Sequence, residues 1–304
     1  MHLRGTGYAL TASLMFGFGV VLAKLLSGEI DAVLVAFLCL LIGGLLLTMY
    51  FFFTGNSIFH NLSVLTRADW INIFLLSCIG TALPLLLIVA GFTQTSALEG
   101  GFVLQLNGMA ALIFALLLLH ERFNLRQGLG IFLLLVGSML VVLKGFQGGV
   151  DWESGSLGNL LILAGAIGLG FGFIPAKRLA ERVDTLQLTA LRLLLGAATL
   201  LPIFVFQILF RSQSLLWQPS FTSLWALPAY ILTSFCLGYL SQQAGFHLLK
   251  AWEMATIMQT VPLFSTIFAV LMLHDTITPL QAAGGFLAVL GGIIASLSNK
   301  KTES

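Results

Sequence analysis

The sequence predicts an all-α membrane protein, ten transmembrane helices arranged as two inverted five-helix repeats. Three observations carry that expectation: a composition too apolar for a water-facing surface, ten apolar runs of spanning length, and one internal repeat. Of 304 residues, 58% are hydrophobic and 9% charged, and the mean hydropathy is +1.02. Soluble domains carry about a quarter charged residues, so the solvent of this chain is a bilayer. A spanning helix needs roughly 20 apolar residues, and about ten of them use about 200 residues and leave only short connectors. No room remains for a soluble catalytic domain. The formal net charge of +2 forms no basic stripe, so nucleic-acid binding has no electrostatic footprint. Cys39, Cys78 and Cys236 lie far apart in apolar runs, without metal-ligand spacing or a disulfide framework, and read as core or lipid-facing side chains.

Apolar runs bounded by charges and turn residues place the spans in order. The first, 7–26, follows Arg4; the second, 33–53, starts after Asp31; the third, 70–92, follows Arg67 and Asp69. The fourth, 97–119, closes at His120-Glu121-Arg122, and the fifth, 126–144, runs from Arg126 to Lys144. In the second half, 158–177 ends at Lys177-Arg178 and 185–209 lies between Asp184 and Arg211. The span 224–248 stops before Lys250, 251–273 closes at His274-Asp275, and 279–297 precedes Lys300. The longer connectors, 54–69, 145–157 and 211–223, carry Asn, Ser, Gly, Pro and Gln and read as loops.

The repeat is the strongest organisational signal. A shift of 153 aligns Gly17, Phe18, Gly19, Ala23, Lys24, Leu26, Asp31 and Gly43 with Gly170, Phe171, Gly172, Ala176, Lys177, Leu179, Asp184 and Gly196. After a one-residue slip, a shift of 154 pairs Glu99, Gln105, His120, Gln127 and Gly137 with Glu253, Gln259, His274, Gln281 and Gly291. Chance alignment of Gly- and Leu-rich helices explains glycines, not Lys, Asp, Glu, Gln and His pairs. The first span is itself matched, which argues against a cleaved signal peptide. The halves are residues 1–150 and 151–304. Five spans per half is an odd number, so the second half crosses in the opposite sense. Counted by alternating sides, Arg4, Arg67, Arg122, Arg126, Lys177, Arg178, Arg182, Lys250, Lys300 and Lys301 share the side of the termini, against Lys24, Lys144 and Arg211. Ten cations against three place both termini in the cytoplasm, in a multi-pass inner-membrane protein.

These residues resemble the drug/metabolite transporter superfamily, in its EamA-type members of ten spans. The resemblance rests on Leu119-His120-Glu121-Arg122, on its counterpart from Pro262-Leu263-Phe264 to Leu273-His274-Asp275, and on Leu191-Arg192-Leu193. Members usually carry a proline in both the fourth and ninth spans and a glutamate at the end of each. Here Gly108 stands opposite Pro262, and the ninth span ends in Asp275. The resemblance implies export of small metabolites, often amino acids, through a central cavity shared by the first, third, fourth, sixth, eighth and ninth spans.

Interior polar side chains are costly in a bilayer and face a cavity or another helix. Gln105 and Gln259 each lie about eight residues into a span, ~12 Å deep in a ~30 Å core, and approach the midplane from opposite sides. Paired amides there suit a zwitterionic or neutral polar solute; the competing reading is glue between helices. Pro262 deprives the Met258 carbonyl of its donor, one residue from Gln259, and Pro84 and Pro175 likewise free the carbonyls of Gly80 and Phe171. Gln259 is therefore expected to contribute more to binding than Gln105. Thr256, on the same helix face as Gln259, and Trp252 join it as candidates, as do Tyr239, Gln242, Gln243 and Phe246, which share a face of the eighth span. Glu99 and Glu253, at opposite mouths, attract an ammonium group or carry a proton, or merely favour a helix N-terminus. Arg192 snorkels to the interface or pairs with a carbonyl.

An enzyme cannot be assembled from these parts, and no cofactor or metal is expected. His120-Glu121-Arg122-Phe123-Asn124 has Asn where a zinc protease needs its second His, and inversion separates His120-Glu121 from His274-Asp275. Every aspartate is expected in a connector, and no mid-span lysine or phosphate loop is present. What remains is a monomeric secondary carrier for a small solute, outward across the membrane by alternating access. A lipid-headgroup flippase or a non-transporting scaffold or channel is the alternative, the flippase disfavoured by the scarcity of interior cations.

Overall fold

The computed structural model describes residues 2–26, 29–53, 65–92, 94, 103–121, 124–142, 156–211, 220–274 and 277–297. Most of these residues are helical, and no strand occurs among them. The helices are α1 (His2–Leu26), α2 (Ala32–Phe53), α3 (Arg67–Ser77), α4 (Leu83–Phe92), α5 (Leu106–Leu118), α6 (Leu125–Val142) and α7 (Ser156–Ala180). They continue as α8 (Thr185–Arg211), α9 (Phe221–Tyr230), α10 (Tyr239–Leu248), α11 (Ala251–Met258), α12 (Val261–Leu273) and α13 (Pro279–Leu297). Among the described residues, seven stretches are long and apolar enough to cross a membrane, and three shorter apolar helices stand where the fourth, fifth and tenth spans are expected. Phe52, Phe53, Phe210, Leu209 and Phe286 lie on the outside. Apolar surface on that scale belongs against lipid.

Among the described residues, four spans are interrupted. A π-helical segment, Cys78–Ala82, joins α3 to α4, and another, Ile231–Gly238, joins α9 to α10. The ninth span breaks at Gln259-Thr260, where Gln259 N bonds to Thr256 O and Thr260 N to Ile257 O, one residue short of α-helical spacing. Pro262, in the first turn of α12, has no N–H to carry the ladder across the break. In the fourth span Gln105 is a turn residue just before α5.

Packing pairs the elements reciprocally. α1 lies on α9 to α12, α7 lies on α3 to α5, α2 on α8, and α6 on α13. The α6–α13 contact is backbone to backbone: a Cβ at Gly137 would overlap Ala288, and one at Gly291 would overlap Leu134. Close approach through small residues replaces the hydrophobic drive that lipid removes.

Three of the polar pairs that reveal the repeat mark helix ends. Asp31 Oδ1 accepts from Val33 N at 2.9 Å and Leu34 N at 3.2 Å, and Asp184 Oδ1 from Leu186 N and Gln187 N at the same two distances. Gln127 and Asn124 exchange side-chain-to-backbone bonds at the start of α6, and Gln281 and Thr278 do so at the start of α13. His120 and His274, at φ 54° and 55°, adopt the left-handed conformation that ends α5 and α12. These residues satisfy orphan backbone groups at helix ends. Asp69 departs from the expectation that aspartates sit in connectors: it is buried in the first turn of α3, boxed by Thr66 and paired with Arg182 at 3.0 Å.

Candidate functional site

Two interior clusters carry polar groups. At the first, α11, α12 and the start of α5 meet. Gln259 is 3% exposed, and its Nε2 donates to the backbone carbonyl of Gln105 at 3.2 Å. Its side chain lies against Gly108, where any Cβ would overlap the amide. That explains why Gly108 stands opposite this span. The half-buried Gln105 side chain makes no hydrogen bond among the described residues. The break is pinned from α1 by Ser13 Oγ, which bonds to Ile257 O at 3.2 Å and Ala9 O at 3.0 Å. Thr256 Oγ1 folds back onto Trp252 O at 2.8 Å, and both residues are buried.

The second cluster surrounds Arg192, which is 6% exposed. Its Nε donates to Thr81 Oγ1 at 2.7 Å, Nη1 to Gln242 Oε1 at 3.0 Å, and Nη2 reaches Gly80 O at 3.4 Å. The guanidinium lies 4.0 Å over the Tyr239 ring. Pro84 is the reason Gly80 O is open: position 84 has no N–H to give it. Thr81 and Gly80 belong to one π segment, and Tyr239 and Gln242 follow the other. Arg192 is therefore an interior cation, pairing with a carbonyl rather than snorkelling. It weakens the argument that scarce interior cations made against a flippase.

Other candidates are placed apart from these clusters. Gln243 Nε2 donates to Ala176 O at 3.1 Å, and Phe246, fully buried, meets Phe173 edge-on at 5.2 Å. Lys177 Nζ donates to Phe246 O at 2.7 Å, tying α7 to α10. Pro175 lies inside α7 without breaking it. At the start of α11, Glu253 is 7% exposed, accepts Lys250 N at 2.9 Å and lies 3.1 Å from His2 Nε2. Glu99 and Asp275 fall outside the described residues. Glu121 is a group the sequence did not single out for this role: its two oxygens accept Ala251 N and Trp252 N, each at 2.9 Å, capping α11 from the end of the fourth span. Only its position beside a matched helix end hinted at it. No group of three or more His, Cys, Asp or Glu side chains suited to a metal occurs among the described residues.

An all-helical bundle with large apolar side chains on its exterior, interrupted spans and buried polar clusters in its interior is an integral membrane protein of the transporter class. The family model of the EamA-like transporter family matches residues 3–143 and again residues 156–297. The chain belongs to that family. The uncharacterized transporter YetK of Bacillus subtilis (strain 168) is 25% identical over 291 residues, covering 95% of this chain and 86% of its own. An uncharacterized transporter of Methanothermobacter thermautotrophicus is 22% identical, covering 96% of this chain and 85% of its own. YyaM of Bacillus subtilis, another uncharacterized transporter, is 26% identical over 212 residues, 69% of this chain and 68% of its own. One solved structure, described only as the crystal structure of a protein, shares the fold, with a TM-score of 0.82 at 19% identity over 100% of both chains.

Proposed function

We propose that the protein is a secondary transporter that moves small metabolites, amino acids or related amphipathic solutes, outward across the cytoplasmic membrane by alternating access. Residues 1–150 and 151–304 form two inverted five-helix repeats, and a monomer suffices because the two halves rock around one site. The carrying observation is the meeting of two breaks: the matched Gln105 and Gln259 stand at interruptions of the fourth and ninth spans and touch through the 3.2 Å bond. Interrupted spans at depth are where carriers expose backbone to solute. The double family match and the reciprocal packing of α1 and α7 support the two-fold arrangement.

We propose the opposite order of the two glutamines from the one expected from the sequence. Gln259 spends its amide on a helix crossing, whereas the Gln105 side chain keeps its donors and acceptor for a solute. Gln105, with Tyr239 and Gln242, heads the proposed binding set; Gln259, Thr256, Trp252, Gln243 and Phe246 shape it. Glu253 and Glu99 are assigned to opposite mouths, and the termini to the cytoplasm. Flux of radiolabelled amino acids into proteoliposomes, measured at several pH gradients, tests the reading: saturable uptake supports it, and linear, unsaturable flux points to a channel instead. A protein that moves lipid headgroups and no soluble solute is a flippase, and the carrier reading falls.

A further inference from the structure

Arg192 is the eighth residue of α8, roughly 11 Å along the helix, which places it well inside a ~30 Å hydrocarbon core. A charge at that depth is expensive, and such residues pair with one another or with backbone carbonyls and mark solute pathways. Among the described residues no carboxylate pairs with Arg192: the ion pairs join His2 to Glu253 and Arg182 to Asp69, elsewhere in the bundle. Among the described residues, every group that contacts the guanidinium is neutral, a hydroxyl, a side-chain amide, a carbonyl and a phenol ring. The positive charge is solvated but not neutralised.

The donor count sharpens this. A guanidinium has five N–H groups. Nε uses its single one on Thr81, and the two terminal nitrogens each use one, the bond to Gly80 O being long at 3.4 Å. One N–H on Nη1 and one on Nη2 remain. They are one donor on each terminal nitrogen for the two oxygens of a carboxylate. The partners already present are also the right kind to yield, since an anion that displaces the Gln242 amide or the Gly80 carbonyl breaks no ion pair.

Comparison of the two halves isolates the feature. Leu191-Arg192-Leu193 aligns at the shift of 153 with Leu38-Cys39-Leu40, so the position that carries the cation in one half carries a fully buried thiol in the other. Helix ends, breaks and π segments are matched between the halves; this charge is not. A helix-packing requirement of the repeat would call for the same residue twice. A single solute charge calls for it once. The cluster also draws Gly80 and Thr81 from one π segment and Tyr239 and Gln242 from the helix that follows the other, and such segments concentrate at functional sites.

We infer that Arg192 binds the carboxylate of the transported solute, with Thr81, Gln242 and Tyr239 holding the guanidinium in place when no solute is bound. This deepens the transport reading above and rests on it. A carboxylate fits better than a phosphate monoester, whose charge of about −1.5 to −2 at neutral pH needs a second cation. Lys177, the other basic side chain fixed inside this half of the bundle, is committed to Phe246 O.

The test is counterflow in proteoliposomes with wild type, Arg192→Gln and Arg192→Lys. A radiolabelled neutral amino acid is challenged by its carboxamide, which lacks the negative charge, by its deaminated carboxylic acid, which keeps it, and by a phosphate monoester. In the wild type the acid competes and the carboxamide is weaker by about tenfold or more, the range that charge-assisted hydrogen bonds supply. Arg192→Gln brings the two within about threefold. Arg192→Lys, which keeps the charge without the fork, weakens the acid selectively and leaves the carboxamide where it was; it decides the matter if the Gln variant does not fold. A variant that loses affinity for acid and carboxamide equally shows Arg192 to be a structural tie and overturns the inference. So does stronger competition by the phosphate monoester. If the wild type moves only solutes without a carboxylate, the inference fails and the transport reading stands; if nothing moves in counterflow, both fail.

Discussion

Gly108→Ala tests whether the fourth and ninth spans cross as described. The added methyl falls on the Gln259 amide, with even the more distant Cγ only 3.0 Å away. The amide must leave, and with it goes the bond to Gln105 O at 3.2 Å. An interhelical hydrogen bond in a membrane protein contributes about 1 kcal/mol, and forcing a methyl into a packed contact costs about 1–3 kcal/mol. Against these stands the better helix propensity of alanine, up to about 1 kcal/mol. The net expectation is a loss of about 1–3 kcal/mol. Reversible unfolding in mild detergent, followed by circular dichroism, measures it for Gly108→Ala, Gln259→Ala and the double variant. Because the clash is with the Gln259 side chain, shortening that side chain relieves it, and the double variant should be more stable than the sum of the singles by about 1–2 kcal/mol, within the range that contacting residues show. Additivity to within about 0.5 kcal/mol refutes the crossing, since independent sites behave that way.

Other outcomes follow from the same geometry. Gln105→Leu should weaken solute binding about five- to 150-fold, the loss of ~1–3 kcal/mol, while Gln259→Leu should lower the melting temperature more than the affinity; isotherms and melting curves on both variants separate these effects. Glu121→Ala leaves two N–H groups of α11 without their cap and should cost about 0.5–2 kcal/mol in the same unfolding assay. On the face of the α1–α2 connector, Glu29 accepts from Ser220 Oγ at 2.8 Å and Ser220 N at 3.1 Å, and these bonds, the hydroxyl foremost, hold its carboxyl below the ordinary range. A depressed carboxylate contributes stability above its unfolded value and loses it as pH falls through the folded one. The acid limb of melting temperature against pH should therefore be shallower in Ser220→Ala, and an identical limb counts against the bond. A reporter fused at Ser304 should be active only in its cytoplasmic form, and a periplasmic signal would overturn both the orientation and the inverted repeat.

Much of the scaffold was legible because bilayer thickness sets span length and most charges collect at span ends. Asp31, Asp184, Gln127 and Gln281 mark helix starts in the sequence for the reason they occupy them in the fold: short polar side chains satisfy first-turn N–H groups. The open Gly80 carbonyl was also readable, from Pro84. Its occupant was not. Eight residues into an apolar helix, an arginine has the same local pattern whether it snorkels or turns inward, and Thr81, Gln242 and Tyr239 reach it only through tertiary packing. The π segments were hidden too, since an extra residue in a helical turn leaves apolar composition unchanged. Gln259 shows the same limit: the sequence placed it beside a break, but what its amide meets depends on Gly108 from a helix about 150 residues away.

Solute exchange across a membrane bears most directly on the central claim. Proteoliposomes preloaded with an unlabelled amino acid are diluted into a trace of the labelled one, without an ion gradient or ATP. An alternating-access carrier predicts transient accumulation of label above equilibrium, saturable in external solute and absent from liposomes without protein. Label that merely equilibrates, at a rate linear in concentration and indifferent to preloading, contradicts alternating access and makes the protein a channel or a scaffold.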